Sequence, residues 1–503
     1  MGIIRRQSFF SSIYIYLGFA IGAVNTLILF PNQHFFKPEE FGLTRLLLDA
    51  SLVIATLCTL GSSPAVIKFF PFYNSYLEKK HNDLPALAII SVCLGCTALL
   101  CFGPFFENIV IRKFSERSPL FINYYYLIYP LSITMAFMYV FESFSWSLKN
   151  TVLPIFLREV FLRILTTIII LLLFIKVITF SQFIILYAFM YLPVALVLLT
   201  SLIRSGRFVL HFKLSSVTRR LKGRIITFSL FIFSGQVLNV LARTIDGIII
   251  ASQSKGGLID TAVFTIATYL IALMEVPIRS MTGIAGVVIA QSWKDKDMKR
   301  IESIYKKTAL NFLLLGMAIF GLILLNIHNM ISFLGPVYGP MSELVVILGA
   351  SKLVDLGTGF NSQILLSSKY WKIDFVTNIL LVLLSCVLNY LLVRSMGIIG
   401  SSYANLISFT IYNFIRFIFI KKFFGMQPFG IANIKILLIG GICFLVTWVI
   451  PFVINIYIDS VIRSFVFVFI YGFIVLKLRI SDDVNEFVKI IAANIKSNLR
   501  WRQ

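Results

Sequence analysis

The segment RSGRFVLHFKLSSVTRRLKGR, residues 204–224, sets Arg204, Arg207, Lys213, Arg219, Arg220, Lys222 and Arg224 between two long apolar runs. An island this basic between runs this apolar reads as a loop kept on the Lys/Arg-rich side of a membrane. It leaves about six apolar runs before it and about eight after it, so it also reads as a linker between two halves.

Composition agrees. The chain has 503 residues, 58% hydrophobic and only 13% charged, whereas soluble globular proteins carry about 25% charged residues. No soluble core buries so large an apolar share, so lipid must solvate most of the chain. The net charge of +23 does not point to nucleic acid, because the basic residues sit in short loops between apolar runs. The six cysteines, Cys58, Cys93, Cys96, Cys101, Cys386 and Cys443, lie within those runs and read as buried thiols. Cys93-Leu-Gly-Cys96 has redox spacing but no second such motif and no nearby histidine.

A span needs about 20 apolar residues. Candidate runs fall near 9–30, 43–67, 86–106, 120–142, 153–175, 179–203, 225–251, 261–290, 308–327, 341–366, 372–394, 398–420, 433–455 and 460–478. Arg5 and Arg6 lead into the first run without a small-residue cleavage site, so that run reads as a span rather than a signal peptide. With loops alternating across the bilayer, roughly 30 basic residues fall on the side of the N-terminus and about eight opposite. Both termini are therefore expected in the cytoplasm.

The expected fold is an all-α polytopic membrane protein of about 14 helices. FSSIYIYLG (10–18) and FSLFIFSG (228–235) form a weak repeat at an offset of roughly 217 residues, with both halves starting on the same side. The expectation is two parallel six-helix bundles around a central cavity, with two extra C-terminal helices. The division is an N-terminal lobe (1–205), the basic linker (206–224), a C-terminal lobe (225–425), two further spans (426–480) and a tail (481–503). The tail sets Val484, Phe487, Val488, Ile491 and Ile495 at helical spacing and reads as an amphipathic helix on the anionic leaflet.

Charges persist inside the apolar runs. Arg45 and Asp49, Arg243 and Asp246, Glu275 and Arg279, and Lys352 and Asp355 are acid–base pairs three or four residues apart, each on one helix face. A charge at the bilayer centre costs about 2.5–3.5 kcal/mol even on the permissive insertion scale. Such faces are expected to line a polar interior, with Asn25, Gln236, Asn239, Asn361 and Gln363 beside them. The other reading is that each pair neutralises itself and ties helices together. Arg45 and Arg416 lie near span ends and read as able to snorkel, and Glu142 and Lys68 as interfacial.

Enzyme signatures are missing. There is no HExxH, Walker A or GxSxG motif, and His34, His81, His211 and His328 form no ligand set. The chain reads as a non-enzyme with no cofactor and no metal. Any uphill movement would draw on a proton or sodium gradient or on the membrane potential.

Three stretches carry a family resemblance: PEEFGLTRLLLDASLVIATLCTLGSSPAVIKFF (38–70), MEVPIRSMTGIAGVVIAQSWKDKDMKRIESIYKK (274–307) and ILLSSKYWKIDFVTNILLVLLSCVLNYLLVRSMGIIGSSYANLIS (364–408). The last ends in a GxxG-small-small-x-Ala turn, Gly397 to Ala404, whose small residues permit tight helix packing. Over roughly 1–425 the chain resembles the multidrug/oligosaccharidyl-lipid/polysaccharide (MOP) exporter superfamily, and within it the polysaccharide-repeat (Wzx-type) flippases. Residues 174–190 lack the glycine turn of that pattern.

The resemblance implies flipping of an undecaprenyl-pyrophosphate-linked oligosaccharide across the bacterial inner membrane by alternating access, for O-antigen, capsule or exopolysaccharide. Arg243, Arg279 and Lys352 would attract pyrophosphate. Asp246, Glu275 and Asp355 would bind sugar hydroxyls or a coupling cation, or titrate. Membrane lipids, a polymerase and glycosyltransferases are the implied partners. Two alternatives share the fold: a multidrug/cation antiporter, and a flippase of the peptidoglycan precursor, to which the two extra spans point. A membrane-embedded glycosyltransferase would need a large loop with catalytic carboxylates, which the chain lacks.

Overall fold

The computed structural model describes residues 2–32, 35–453, 455–486, 488 and 489. The described residues form helices and connecting turns, without strands. We label the long helices in chain order. They are α1 (Gly2–Val24, continuing through a π-helical turn Asn25–Leu29), α2 (Pro38–Cys58), α3 (Leu84–Phe114), α4 (Pro119–Ser147) and α5 (152–174, with a π-helical turn Leu157–Phe161). Then come α6 (Phe180–Arg204), α7 (Ser216–Gln253), α8 (Gly257–Arg279, running on to Lys294), α9 (Met298–Leu334) and α10 (Pro336–Gly357). The last are α11 (Trp371–Met396), α12 (Ile398–Phe424), α13 (Ile431–Trp448) and α14 (Ile456–Lys477).

Twelve of the described helices are long and apolar enough to cross a membrane, which makes this a multi-pass membrane protein. The other two expected spans are helical but depart from that standard. The first has a short apolar part, Ile13–Leu29, and the fifth carries Arg158, Glu159 and Arg163 in its path.

The chain forms two compact units, 1–265 with 393–398, and 266–392 with 399–503. The first unit includes α7, which packs on α2 and on the short helix Ser62–Tyr76. The expected lobe boundary after residue 205 follows the basic segment 204–224, whereas these compact units are set by contact.

In the first unit the basic linker is anchored. Asp83, which is buried, accepts hydrogen bonds from the Ser215 N–H (2.9 Å) and the Thr218 hydroxyl (2.7 Å), and Tyr73 pairs with Thr218 at 2.6 Å. Phe208 packs edge-on against Phe144, with centroids 5.2 Å apart. Ser215 also caps α7 through the Thr218 N–H (3.1 Å), satisfying one of the donors a helix start leaves open.

In the second unit α13 and α14 pack on α9. Leu313, Leu325, Ile436, Ile439, Cys443 and Phe467 share one core. Glycines set the spacing. A Cβ on Gly321 would lie 2.3 Å from Phe467 Cζ, and one on Gly440 would lie 2.4 Å from Met317 Cγ. The α13–α14 turn is tied by a buried ion pair. Arg463 Nε donates to Asp459 Oδ2 at 2.7 Å and its Nη2 donates to the Ile450 carbonyl at 2.7 Å. Asn329 of α9 donates to Asp459 at 2.7 Å.

Of the expected tail helix, Asp482 to Glu486 are helical, with Val488 and Lys489; Phe487 and 490–503 lie outside the described residues. Asp483 meets α9 through Lys307 (3.0 Å) and Asn311 (2.9 Å). Partial burial raises the Asp483 carboxyl, but those two hydrogen bonds and the Lys307 charge outweigh it and hold it below its usual range.

Candidate functional site

The second unit builds its polar site where two helices break. Pro277 has no N–H to give the Leu273 carbonyl, and α8 narrows there to a 3-10 turn, Leu273–Glu275. That break carries Glu275. α10 stops at Gly357, Gly359 adopts a left-handed φ of 56°, and a short helix restarts at Asn361. Interrupted helices leave polar backbone and side chains inside a membrane protein, which is tolerated where protein or water surrounds them.

Two of the four expected pairs join into one chain of alternating charge. Arg279 Nη2 lies 2.6 Å from Glu275 Oε2, Lys352 Nζ lies 2.6 Å from Glu275 Oε1, and Lys352 lies 3.3 Å from Asp355 Oδ2. The Asn413 amide then donates to Asp355 Oδ1 at 3.1 Å, and its oxygen accepts from Asn361 at 2.8 Å. Phe409 lies under Lys352, with Nζ 5.3 Å from the ring centroid. The side chains differ in access: Arg279 is 62% exposed, Glu275 29%, Asp355 28% and Lys352 only 14%. Lys352 is therefore the internal tie that neutralises two carboxylates, and Arg279 is the cation of this charge chain with the most open surface.

The first unit holds the other expected residues. Arg45 grips Asp49 in a forked pair, with Nε to Oδ2 and Nη2 to Oδ1 both at 3.1 Å. Asp49 is buried against α7, where Gly247 leaves it room: a Cβ there would lie 2.7 Å from Asp49 Oδ2. Asp246 is close enough for its charge to act on Asp49. Arg243 and Asn239 are exposed, and Asp246 and Gln236 are half-buried. Asn25 points elsewhere. It is buried in the π-helical turn of α1, donating to the Arg163 carbonyl (2.9 Å) and accepting from Thr167 (2.8 Å).

Several side chains depart from the expectation. Glu142 is buried rather than interfacial and meets Arg158 Nη1 at 2.9 Å. Arg416 does not snorkel; it is wholly buried, bonded to Asp374 Oδ1 at 2.5 Å and to Thr377 at 2.9 Å. In each case a polar partner on a neighbouring helix, a guanidinium for Glu142 and an acid and a hydroxyl for Arg416, supplies what the headgroup region would have supplied. Arg45 also turns to Asp49. Cys93 and Cys101 are exposed and Cys386 is partly exposed, so only Cys58, Cys96 and Cys443 are buried thiols. Arg158, Glu159, Arg163, Asn413, Asp459 and Arg463 were not singled out from the sequence. Glu159–Arg163 and Asp459–Arg463 show the same four-residue spacing as the pairs that were.

No family model matches the chain, and no curated protein matches it. Solved structures do. The lipid II flippase MurJ in an inward closed conformation is 16% identical, with a TM-score of 0.72, covering 93% of this chain and 99% of that one. An inward-facing multidrug resistance MATE family transporter of the MOP superfamily is 16% identical, with a TM-score of 0.59 and 84% and 96% covered. An outward-facing MATE family structure gives a TM-score of 0.55 at 16% identity, with 83% and 95% covered. The chain has the fold that the lipid II flippase and these MATE family structures share.

Proposed function

We propose that this protein flips a prenyl-diphosphate-linked oligosaccharide, of the undecaprenyl-pyrophosphate class, across the bacterial inner membrane by alternating access, feeding synthesis of a surface polysaccharide. Both termini would face the cytoplasm. The carrying observation is the charge chain Arg279–Glu275–Lys352–Asp355 at two broken helices, with Arg279 its most exposed member. A large anionic head group cannot cross hydrocarbon, and a guanidinium held in place by a carboxylate offers it a planar fork of donors. A proton or sodium gradient would drive net transport, with Asp246, Glu275 or Asp355 as candidate carriers.

A peptidoglycan-precursor flippase is the second reading. It is favoured by the likeness to the lipid II flippase, which covers 93% of this chain, against 84% for the inward-facing MATE structure. A multidrug antiporter is weaker, because an exposed arginine repels cationic drugs.

The test is lipid analysis after gene deletion. One undecaprenyl-linked repeat unit should accumulate in the cytoplasmic leaflet, protected from an external glycosidase, while its surface glycan disappears. A deletion lethal through accumulated peptidoglycan precursor would move the assignment to the second reading. Normal lipid intermediates with new drug sensitivity would refute both.

A further inference from the structure

The arginine ion pairs on the helices differ in how far the guanidinium is exposed. In Asp459–Arg463 both side chains are 1% exposed, and Arg416 is 0% exposed beside Asp374 at 11%. These guanidinia are sealed, as ties between helices should be. The pairs on α5 differ. Arg158 is 38% exposed while its partner Glu142 is 6%, and Arg163 is 29% exposed while Glu159 is 20%. Arg45 repeats the pattern, 37% against 4% for Asp49. In each, the guanidinium is more exposed than its carboxylate, by a wide margin for Arg158 over Glu142 and Arg45 over Asp49 and a narrow one for Arg163 over Glu159. The count of charges is balanced, yet the accessible surface is cationic.

The local build fixes this arrangement. The π-helical turn Leu157–Phe161 carries Arg158 and Glu159, and such turns concentrate at functional sites. Glu159 Oε1 accepts from Arg158 Nε at 3.2 Å, and Glu159 Oε2 accepts from Arg163 Nη2 at 3.1 Å. Arg163 Nη1 donates to the Gly18 carbonyl of α1. Gly18 is required, since a Cβ there would lie 2.3 Å from the Glu159 carbonyl oxygen. A guanidinium has five N–H donors. Two nitrogens of each arginine are engaged, Nε and Nη1 on Arg158 and both Nη atoms on Arg163, which leaves Nη2 of Arg158 and Nε of Arg163 outside these bonds. Glu159 joins the two arginines, accepting from Arg158 on one carboxylate oxygen and from Arg163 on the other, so α5 brings both cations to one place inside the first unit.

We propose that Arg158 and Arg163, held from behind by Glu142 and Glu159, form a diphosphate-binding site in the N-terminal unit, separate from the Arg279–Lys352 site. The proposal rests on the head-group reading above and names two further residues that recognise it. The two planar forks suit the two phosphates of a diphosphate, and the carboxylates are positioning residues that do not touch it.

The test measures binding of farnesyl diphosphate, farnesol and inorganic pyrophosphate to the purified full-length chain, for wild type and for the double substitution E142Q/R158Q, which keeps a neutral hydrogen-bonding pair. Wild type should bind farnesyl diphosphate and not farnesol. The double variant, with its melting midpoint unchanged, should bind about tenfold more weakly or worse. Phenylglyoxal modification of the unaltered protein, mapped by mass spectrometry, gives a second measurement that needs no variant: farnesyl diphosphate should protect Arg158 and Arg163. Competition by inorganic pyrophosphate at these arginines supports a site for the diphosphate itself, and failure to compete supports one for the lipid-linked form only. Equal binding by both proteins, or no protection at either arginine, overturns the site and leaves the head-group reading standing. If wild type does not distinguish farnesyl diphosphate from farnesol, both fall.

Discussion

Replacing Arg463 with leucine should be among the most damaging single changes in the second unit. Arg463 makes an ion pair of 2.7 Å to Asp459, donates to the carbonyls of Ile450 (2.7 Å) and Thr447 (3.3 Å), and stacks its guanidinium 4.2 Å from the Phe452 ring centroid. The leucine removes all of these and leaves Asp459, 1% exposed, without its cation. Removing one partner of a buried pair costs about 3–5 kcal/mol. Asp459 keeps hydrogen bonds from Asn329 (2.7 Å) and the Val453 N–H (3.0 Å), so we expect the lower end of that range, about 3 kcal/mol. The double variant D459N/R463L should be less damaged than R463L alone, because no buried charge then remains. In a background whose other five cysteines are replaced, Cys443 of α13, 0% exposed, is a reporter: a thiol-reactive dye labels it only when the hairpin opens. Labelling should begin at lower temperature in R463L, with the double variant between it and wild type. An unchanged midpoint in R463L, or a double variant worse than the single, would refute the argument.

Gly18→Ala should shift α1 away from α5 and cost about 1–3 kcal/mol, read as a lower melting midpoint, because a backbone carbonyl rather than a flexible side chain lies 2.3 Å from the new methyl. Glu275→Gln should leave the protein folded but cut transport sharply, since Arg279 and Lys352 both pair with that carboxylate; unchanged transport of the lipid-linked substrate would remove Glu275 from the site. Asp483 is held below its usual range, so its contact with Lys307 is present above the ordinary carboxylate pKa and is lost only as pH falls through the lowered value. A spin-label distance between the segments bearing Lys307 and Asp483 should hold from pH 7 to about pH 4 and lengthen below it; lengthening near pH 6 would contradict this. Lys255→Cys, in a background without Cys93 and Cys101, should react with an impermeant external thiol reagent, and protection in permeabilised outer-membrane preparations would invert the proposed orientation.

The sequence by itself determined the class of protein and much of its layout. Low charge and long apolar runs leave no other solvent than lipid, and helix is the form that satisfies every backbone group within its own segment. The basic segment 204–224 joins the helix Phe180–Arg204 to the helix Ser216–Gln253, and its residues 216–224 form the first turns of the latter rather than a loop. The three- and four-residue spacing of Glu275–Arg279 and Lys352–Asp355 was legible too, because side chains so spaced share a helix face. What joins those two pairs, the 2.6 Å contact from Lys352 to Glu275, was not, because it spans helices far apart in the chain. Nor could spacing tell which member of a pair is sealed and which is presented. Asp459–Arg463 and Arg45–Asp49 have the same four-residue interval, yet one guanidinium is 1% exposed and the other 37%. That difference is set by what packs over each side chain from neighbouring helices, and burial, unlike helical periodicity, is a property of the assembled fold.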